Sequence, residues 1–315
     1  MRPTRWSARM AAFRPACAPQ PRSFTEKSSH AEAGHCGIIL NLSDTWKGAP
    51  MTPKPNILFI MCDQLRADAV GCAENSWVKT PHLDQLAAEG VRFRNCVTTT
   101  PVCVPARVSL ATGWYPHNTG VWQNIQFDMP AHWPTWMQAI RAVGYRTSLF
   151  GKTHLHHHGG DLREREHLLH AYGLDDIDEI AGPRSSAKCL SHMTAGWQRK
   201  GLWDAYKADY RDRIATKPYV ARPSVLPLED YADCYVGRRA CEYLQSYDRT
   251  EPWFCWVSFG GPHEPWDAPE PYASMYDPNA MPRPASRFED VAADRPKGSI
   301  DTRLAKAPNP SPQDV

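Results

Sequence analysis

The sequence contains no apolar segment long enough to cross a membrane and almost no excess of charge of either sign. Its longest apolar runs, at Ile57–Met61 and Trp253–Phe259, are far shorter than the ~20 residues that a spanning helix needs. Lysine and arginine total 36 against 34 aspartate and glutamate, so no strong field draws the whole chain towards nucleic acid. These absences predict a soluble protein that binds neither a membrane nor nucleic acid.

The chain also lacks a C-x-x-C pair and a recognisable secretory signal. Its ten cysteines stand at irregular spacing, which argues against a zinc ribbon or a thioredoxin-type motif. The first fifty residues hold no apolar core of the kind that a signal peptide carries, so the cytoplasm is the expected compartment. We interpret residues 1–50 as a disordered N-terminal extension; an amphipathic targeting peptide is the alternative.

From Pro55 onward, short apolar runs alternate with helical patterns. The predicted elements are strands at 56–62, 145–150 and 252–259 and helices at 80–90, 134–143 and 231–247. Strands alternating with helices indicate an α/β fold with a doubly wound, largely parallel sheet and helices on both of its faces. In such sheets ligands bind beyond the carboxyl ends of the strands, so the residues that follow the strands are the first to consider.

Two burial patterns accompany these predictions. The continuous apolar run at 56–62 predicts a strand buried on both faces. In the helix at 80–90, the spacing of Leu83, Leu86 and Ala87 predicts a buried stripe. After about Pro284 the pattern fades, so we expect a catalytic domain over 51–285 and an irregular tail over 286–315.

Two segments carry residues suited to chemistry. Asp63 and Gln64 end the first strand, where a carboxylate and an amide oxygen could bind Ca²⁺ or Mg²⁺, although an aspartate there is more often a turn or cap residue. In the segment CVPARVSLATG, Cys103 stands at a predicted helix N-terminus, which favours an anion, and Arg107 lies one turn further on. A nucleophile beside a guanidinium suits attack on a sulfate or phosphate ester; a buried cysteine near a surface arginine is the alternative.

The pattern Cys-x-Pro-x-Arg followed by Thr-Gly resembles the maturation motif of type I sulfatases, in the alkaline-phosphatase-like superfamily. In that family the cysteine is oxidised after translation to Cα-formylglycine, whose hydrated aldehyde is the nucleophile. The resemblance runs from about Pro55 to Pro284. Four further segments match in order: NILFIMCDQLRAD (56–68), TPHLDQLAAEGVRFRN (80–95, a helix and a strand in the family), FGKTHL (150–155) and GPHEPW (261–266).

The resemblance implies a divalent cation, Ca²⁺ or alternatively Mg²⁺ or Mn²⁺. Asp63 would ligate it with Gln64 contributing or standing beside it, and Cys103, as formylglycine, would both touch the metal and attack sulfur. Arg107 would hold the aldehyde hydrate and offset its charge. The resemblance also implies a formylglycine-generating maturation enzyme as a partner.

Three further residues receive roles from the same resemblance. Lys152 would pair with sulfate oxygens. His154 would hydrogen-bond the hydrate and later help to expel sulfate from the covalent intermediate by taking a hydroxyl proton. His263 would contact the sulfate or protonate the leaving oxygen.

The segment around Lys152 also invites other interpretations. A phosphate-binding loop would need Gly-x₄-Gly-Lys, and the preceding glycine, Gly144, is two residues too far away. The histidine run could indicate a zinc site with Asp161 nearby, but no cysteine or helical His-x₃-His frame completes a ligand set. We therefore interpret His156–His158 as loop histidines that line the pocket.

Several features of the family are not found in this sequence. We cannot place the later Asp-His or Asp-Asn pair that completes the metal site, the second sulfate-binding lysine or the smaller C-terminal domain. A hard cation takes about six oxygen ligands, and Asp63, Gln64 and formylglycine leave it under-coordinated. The chain therefore resembles a sulfatase catalytic domain truncated at its C-terminus, from which we expect weak or no turnover.

The predicted function is metal-dependent hydrolysis of a sulfate monoester, either a small molecule or a sulfated sugar. Candidate substrates are an aryl sulfate, a sulfated sugar and choline sulfate. The alternatives are a phosphate or phosphonate ester hydrolase of the same superfamily and a truncated sulfatase without catalytic activity.

Overall fold

Four parallel strands form the sheet of the computed structural model, which describes residues 54–216 and 220–282. In the spatial order β1-β4-β2-β3, the strands are β1 (Ile57–Asp63), β4 (Trp253–Pro262), β2 (Arg146–Gly151) and β3 (Asp176–Glu179). All pairings in this sheet are parallel, so the carboxyl ends of the strands meet at one edge. The predicted N-terminal extension and the predicted tail lie outside the described residues.

Nine α-helices accompany the sheet within the described part of the chain. They are α1 (Pro81–Glu89), α2 (Cys103–Thr112), α3 (Pro116–Thr119), α4 (Trp136–Ala142), α5 (Glu166–Ala171), α6 (Pro183–Ser186), α7 (His192–Arg199), α8 (Trp203–Thr216) and α9 (Ala232–Gln245). Among the described residues, none of these helices combines the length and the apolar character that a membrane span requires.

Apolar side chains pack against both faces of the sheet. Leu149 and Trp256 are buried on one face, in a cluster that also contains Val108 of α2 and Met137 of α4. Their chain neighbours point to the opposite face, where Phe150 and Val257 pack with Trp197 of α7 and Val236 of α9. Since successive side chains of a strand alternate between faces, this division confirms the predicted α/β sheet covered by helices on both sides.

The prediction that β1 is buried on both faces is wrong. β1 pairs only with β4 and lies at the edge of the sheet. Its Leu58 and Ile60 side chains are 47% and 49% exposed. The apolar run correctly indicates a strand, but among the described residues no element covers this face.

The segment after β1 also differs from the prediction. α1 forms where expected, but it has no buried residue, and Leu83 and Leu86 are exposed. The strand expected over Val91–Asn95 is absent from the described fold, where Val91 and Phe93 are exposed. Helical spacing predicts a helix, whereas burial of its stripe also requires an element that packs against it.

Candidate active site

The carboxyl ends of β1 and β2 bring Asp63 and Lys152 into contact. Asp63 is the last residue of β1, Lys152 directly follows β2, and both side chains are buried. The Lys152 Nζ atom contacts Asp63 Oδ2, and Arg107 Nη2 lies 3.5 Å from the same oxygen. Burial alone would raise the pKa of Asp63, but the charges of Lys152 and Arg107 outweigh it, so the pKa is lowered and the carboxylate stays ionised.

Cys103 opens α2 beside this carboxylate. Its Sγ atom lies 3.6 Å from Asp63 Oδ1, as the resemblance requires of a nucleophile precursor next to a metal ligand. The backbone N–H of Val104, in the first turn, donates to Asn124 Oδ1 at 2.9 Å. The helix ends at Gly113, whose positive φ of 73° suits a residue without a side chain.

Arg107 connects α2 to the ends of two strands. Its Nη1 atom donates to the Lys152 carbonyl at 2.6 Å and to Ser258 Oγ at 3.0 Å. The guanidinium is almost completely buried, and burial lowers its pKa, although the neighbouring Asp63 partly offsets this effect. Because Nη2 faces Asp63 at the same time, the planar guanidinium serves both sides through two nitrogens, which the single nitrogen of a lysine ammonium cannot do.

His154 adopts a left-handed backbone conformation, with φ of 58°, two residues after Lys152. Its Nδ1 atom is buried and has no hydrogen-bond partner among the residues that the structure describes. Burial lowers the pKa of His154 strongly, and the positive charges of Lys152 and Arg107 lower it further, so the ring is neutral. A neutral imidazole with an unused nitrogen can accept a proton or hydrogen-bond a ligand.

His263 follows the last strand, β4. Its Nδ1 atom lies 2.8 Å from the Glu264 carbonyl oxygen. Burial and the charge of Lys152 lower the pKa of His263 to about 4. The negative charge of Asp63 acts in the opposite direction and offsets part of this shift. Asp233 holds the chain just before this histidine, because its Oδ1 accepts from the backbone N–H groups of Gly260 and Gly261 at 2.9 Å and 3.1 Å.

Gln64 directly follows Asp63 in the chain and is the one exposed residue among the candidates. Its backbone is left-handed, with φ of 65°, and the residue is exposed. No hydrogen bond joins its side chain to Asp63 in the described part of the structure. Cys103, Arg107, Lys152 and His263 interact with Asp63, and His154 lies in the field of Lys152 and Arg107.

The buried carboxylate of Glu179 has no counterpart in the sequence analysis. It ends β3 and contacts Thr153 Oγ1, His156 and His158, all on the loop after β2. Burial would raise the pKa of Glu179, but the two histidines outweigh it and lower that pKa. His156 and His158 are loop residues, as predicted, and both are buried partners of the Glu179 carboxylate.

Part of the ligand set that a divalent cation needs is present at Asp63. The buried Asp63 carboxylate, the Cys103 position 3.6 Å away and the adjacent Gln64 amide offer donors at one place. Asp63 is the carboxylate that Lys152 and Arg107 already engage. These three donors fit a part of the six to eight oxygen ligands that Ca²⁺ takes, and they do not complete the set.

Comparisons with known proteins agree with this arrangement. A family model described as Sulfatase matches residues 55–287. The chain is 33% identical to the ulvan-active sulfatase of Formosa agariphila over 245 residues, which are 75% of this chain and 42% of that protein. It is 28% identical to the arylsulfatase of Clostridium perfringens over 237 residues, which are 73% of this chain and 48% of that protein.

Among solved structures, the fold is similar to the phosphonate monoester hydrolase of Agrobacterium radiobacter. The TM-score is 0.51 with 28% sequence identity, covering 73% of this chain and 45% of that one. The chain thus spans less than half the length of each of these relatives. The ordered motifs, the parallel sheet and the matched family region together establish that the chain belongs to the sulfatase family of the alkaline-phosphatase-like superfamily.

Proposed function

We propose that this chain carries the nucleophile and the anion-binding residues of a sulfate monoester hydrolase. The observation that carries the proposal is the position of Cys103 at the N-terminus of α2, 3.6 Å from Asp63 and one helical turn from the buried Arg107. Oxidation of Cys103 to Cα-formylglycine by a maturation enzyme would supply the hydrated aldehyde that attacks sulfur.

Charge complementarity supports an anionic substrate. Lys152 and Arg107 place two buried cations against the single carboxylate of Asp63, while the nearby His154 and His263 are neutral at pH 7. This group therefore has a net positive charge in a region of low dielectric constant. The oxygens of a sulfate ester can accept charge-assisted hydrogen bonds from the Lys152 ammonium. Arg107 holds the surrounding backbone in place.

The two histidines suit proton transfer on opposite sides of the ester. His154 offers the buried, unpartnered Nδ1 atom, which can accept a proton from the attacking hydroxyl group. His263 directs Nδ1 at a carbonyl oxygen, which leaves Nε2 for the substrate. An anionic ester beside His263 favours the protonated ring, which can then donate to the sulfate or to the leaving oxygen.

We further propose that Asp63, Gln64 and the oxidised Cys103 contribute ligands to a Ca²⁺, Mg²⁺ or Mn²⁺ ion. The cation would supply charge that stabilises a deprotonated hydroxyl nucleophile. Suitable substrates are aryl sulfates and sulfated sugars; the names of the Clostridium and Formosa relatives point to these classes.

The test is hydrolysis of an aryl sulfate in the presence of Ca²⁺ by protein co-expressed with a formylglycine-generating enzyme. We expect weak turnover by the wild type, because its metal ligand set is incomplete, and none by Cys103→Ala. Cys96→Ala, at an exposed cysteine seven positions upstream, is the matched control and should retain the wild-type rate. Equal activity of the wild type and Cys103→Ala would refute the proposed nucleophile.

A second candidate is hydrolysis of a phosphonate monoester. The structural similarity to a phosphonate monoester hydrolase favours it, because both ester classes present tetrahedral anionic oxygens to the same cations. Measuring kcat/KM for an aryl sulfate and an aryl phosphonate ester on one preparation decides between them. A ratio well above one favours the sulfatase, and a ratio well below one favours the phosphonate hydrolase.

A further inference from the structure

Three buried side chains contact one another where the loop after β2, which also carries Lys152 and His154, meets the end of β3. His156, His158 and Glu179 are 1%, 9% and 3% exposed. His156 Nε2 lies 2.7 Å from Glu179 Oε2, and His158 Nε2 lies 3.1 Å from Glu179 Oε1. One ligand atom from each of the three residues falls within 4.8 Å of the other two.

The hydrogen bond at Nδ1 of each imidazole ring determines whether Nε2, which faces the Glu179 carboxylate, carries a hydrogen. His156 Nδ1 lies 3.2 Å from the carbonyl oxygen of His157, and His158 Nδ1 lies 3.1 Å from that of Ala181. A carbonyl oxygen only accepts hydrogen bonds, so each Nδ1 must carry the hydrogen. In the neutral ring, Nε2 then presents a lone pair to the lone pairs of the Glu179 carboxylate.

Lone pairs directed at one another at these distances require a positive centre between them, which is either a proton or a metal ion. A backbone carbonyl that fixes the tautomer of a histidine is the usual support for a metal-binding imidazole. With bond lengths of ~2.0–2.2 Å, ligand atoms in a tetrahedral zinc site stand roughly 3.3 Å apart. To reach this spacing, the 3.1 Å separation needs to widen by about 0.2 Å and the 2.7 Å separation by about 0.6 Å.

We propose that His156, His158 and Glu179 bind a zinc-type transition-metal ion, separate from the cation at Asp63. Two imidazoles and one carboxylate form a ligand set that Zn²⁺ uses, with the fourth position left to water. Ca²⁺ takes six to eight oxygen ligands and does not match this set. The sequence analysis did not find the site because Glu179 stands on another strand, 21 positions after His158.

The ion would attach the loop of the proposed active site to the end of β3. Glu179 sits at the end of β3 and also contacts Thr153, which lies between Lys152 and His154. The ring of His158 lies 4.6 Å from the ring of His154, measured between centroids. A metal ion that joins His156 and His158 to the sheet therefore holds the backbone on both sides of His154.

The test uses the full-length chain, stripped of metal with a chelator and titrated with Co²⁺ as a spectroscopic probe. We expect one equivalent of Co²⁺ to bind with the intense visible absorption of a four-coordinate ion, and Zn²⁺ to displace it. His158→Gln should weaken Co²⁺ binding by at least ~100-fold, since loss of a ligand exceeds the 10–100-fold effect of losing an outer partner.

Two control variants separate this site from its surroundings. His157→Gln replaces the histidine between the two ligands and should bind Co²⁺ as the wild type does. Asp63→Asn removes the carboxylate of the other proposed cation site and should leave the Co²⁺ spectrum unchanged. Loss of the spectrum in Asp63→Asn, or its retention in a folded His158→Gln, would overturn the assignment.

A measurement on the wild type keeps the test valid if His158→Gln does not fold. Zinc-edge X-ray absorption of the Zn²⁺-loaded chain should show two imidazole ligands and oxygen ligands, without sulfur. Sulfur ligation, or the absence of bound Co²⁺ and Zn²⁺ in the wild type, would show that protons alone hold the three side chains together.

Discussion

The Sγ atom of Cys103 lies 3.6 Å from Asp63 Oδ1, although 40 positions separate the two residues. The contact forms because α2 begins next to the carboxyl end of β1, where Asp63 is the last residue. Asp63 presents its other oxygen to Lys152 and Arg107. One buried carboxylate thus places Cys103, the proposed nucleophile precursor, next to two cations that suit an anionic ester.

Arg107→Lys should destabilise the fold although it preserves the charge. A lysine ammonium has a single nitrogen. It cannot replace both Nη1, which donates to the Lys152 carbonyl at 2.6 Å and to Ser258 Oγ at 3.0 Å, and Nη2, which lies 3.5 Å from Asp63 Oδ2. We expect the free energy of unfolding, measured in urea, to fall by about 3 kcal/mol. The same change at Arg163, which pairs with Asp161 at the surface, should cost less than ~1 kcal/mol. Similar losses at the two positions would contradict the structural role of Arg107.

His263 should make the stability depend on pH between about 4 and 6.5. The pKa of His263 is about 4 in the folded protein, and an unperturbed histidine has a pKa of 6.5. Between these pH values the unfolded chain therefore binds a proton that the folded chain does not. Stability therefore falls as the pH drops through this range, by a total of about 3 kcal/mol. Urea unfolding across the range should give a steeper slope for the wild type than for His263→Gln. Parallel curves would place the titration elsewhere.

Gly151→Ala should prevent folding or cost more than ~4 kcal/mol. Gly151 has φ of 116°, and a Cβ atom there would overlap the carbonyl group of Ser258 on β4. Gly113→Ala is the matched control, because Gly113 also has positive φ, at 73°, but has nothing within 4 Å of the added atom. The control should lose only the ~1–2 kcal/mol of left-handed strain. Equal unfolding midpoints for the two variants would disprove the close approach of β2 and β4.

The exposed face of β1 should cause the isolated chain to associate. Leu58 and Ile60 lie on an edge strand and expose about half of their surface. Changing both residues to threonine should reduce concentration-dependent association in sedimentation velocity. Ile214→Thr, which removes an exposed apolar residue from α8, is the control and should not reduce it. Association that is unchanged in the β1 variant would locate the contact on another surface.

The sequence predicted the strands that consist of apolar runs and the site residues that directly follow them. β3 was not predicted, because three of the four residues in Asp176–Glu179 are acidic and resemble a solvated loop. Their charges are neutralised by partners distant in sequence: Arg146 binds Asp176 and Arg239 binds Asp178. Such pairings are set by the sheet order and leave no local periodicity.

Burial was harder to predict than secondary structure for a related reason. The spacing of Leu83 and Leu86 is sufficient to predict the helix α1. An apolar stripe is buried, however, only if another element packs on it. The motif residues Cys103, Arg107 and Lys152 can be grouped from the sequence because their chemistry and order match the family, and the structure brings them together around Asp63. Glu179 belongs to no such motif, so its contact with the histidine loop required the fold.

The claim that Cys103 supplies the nucleophile is tested most directly by mass spectrometry of the tryptic peptide covering residues 95–107. This peptide also contains Cys96, which serves as an internal reference. After co-expression with a formylglycine-generating enzyme, fragment ions should place an aldehyde at position 103 and an intact thiol at position 96. Intact thiols at both positions, under conditions in which a control sulfatase is modified, would contradict the account.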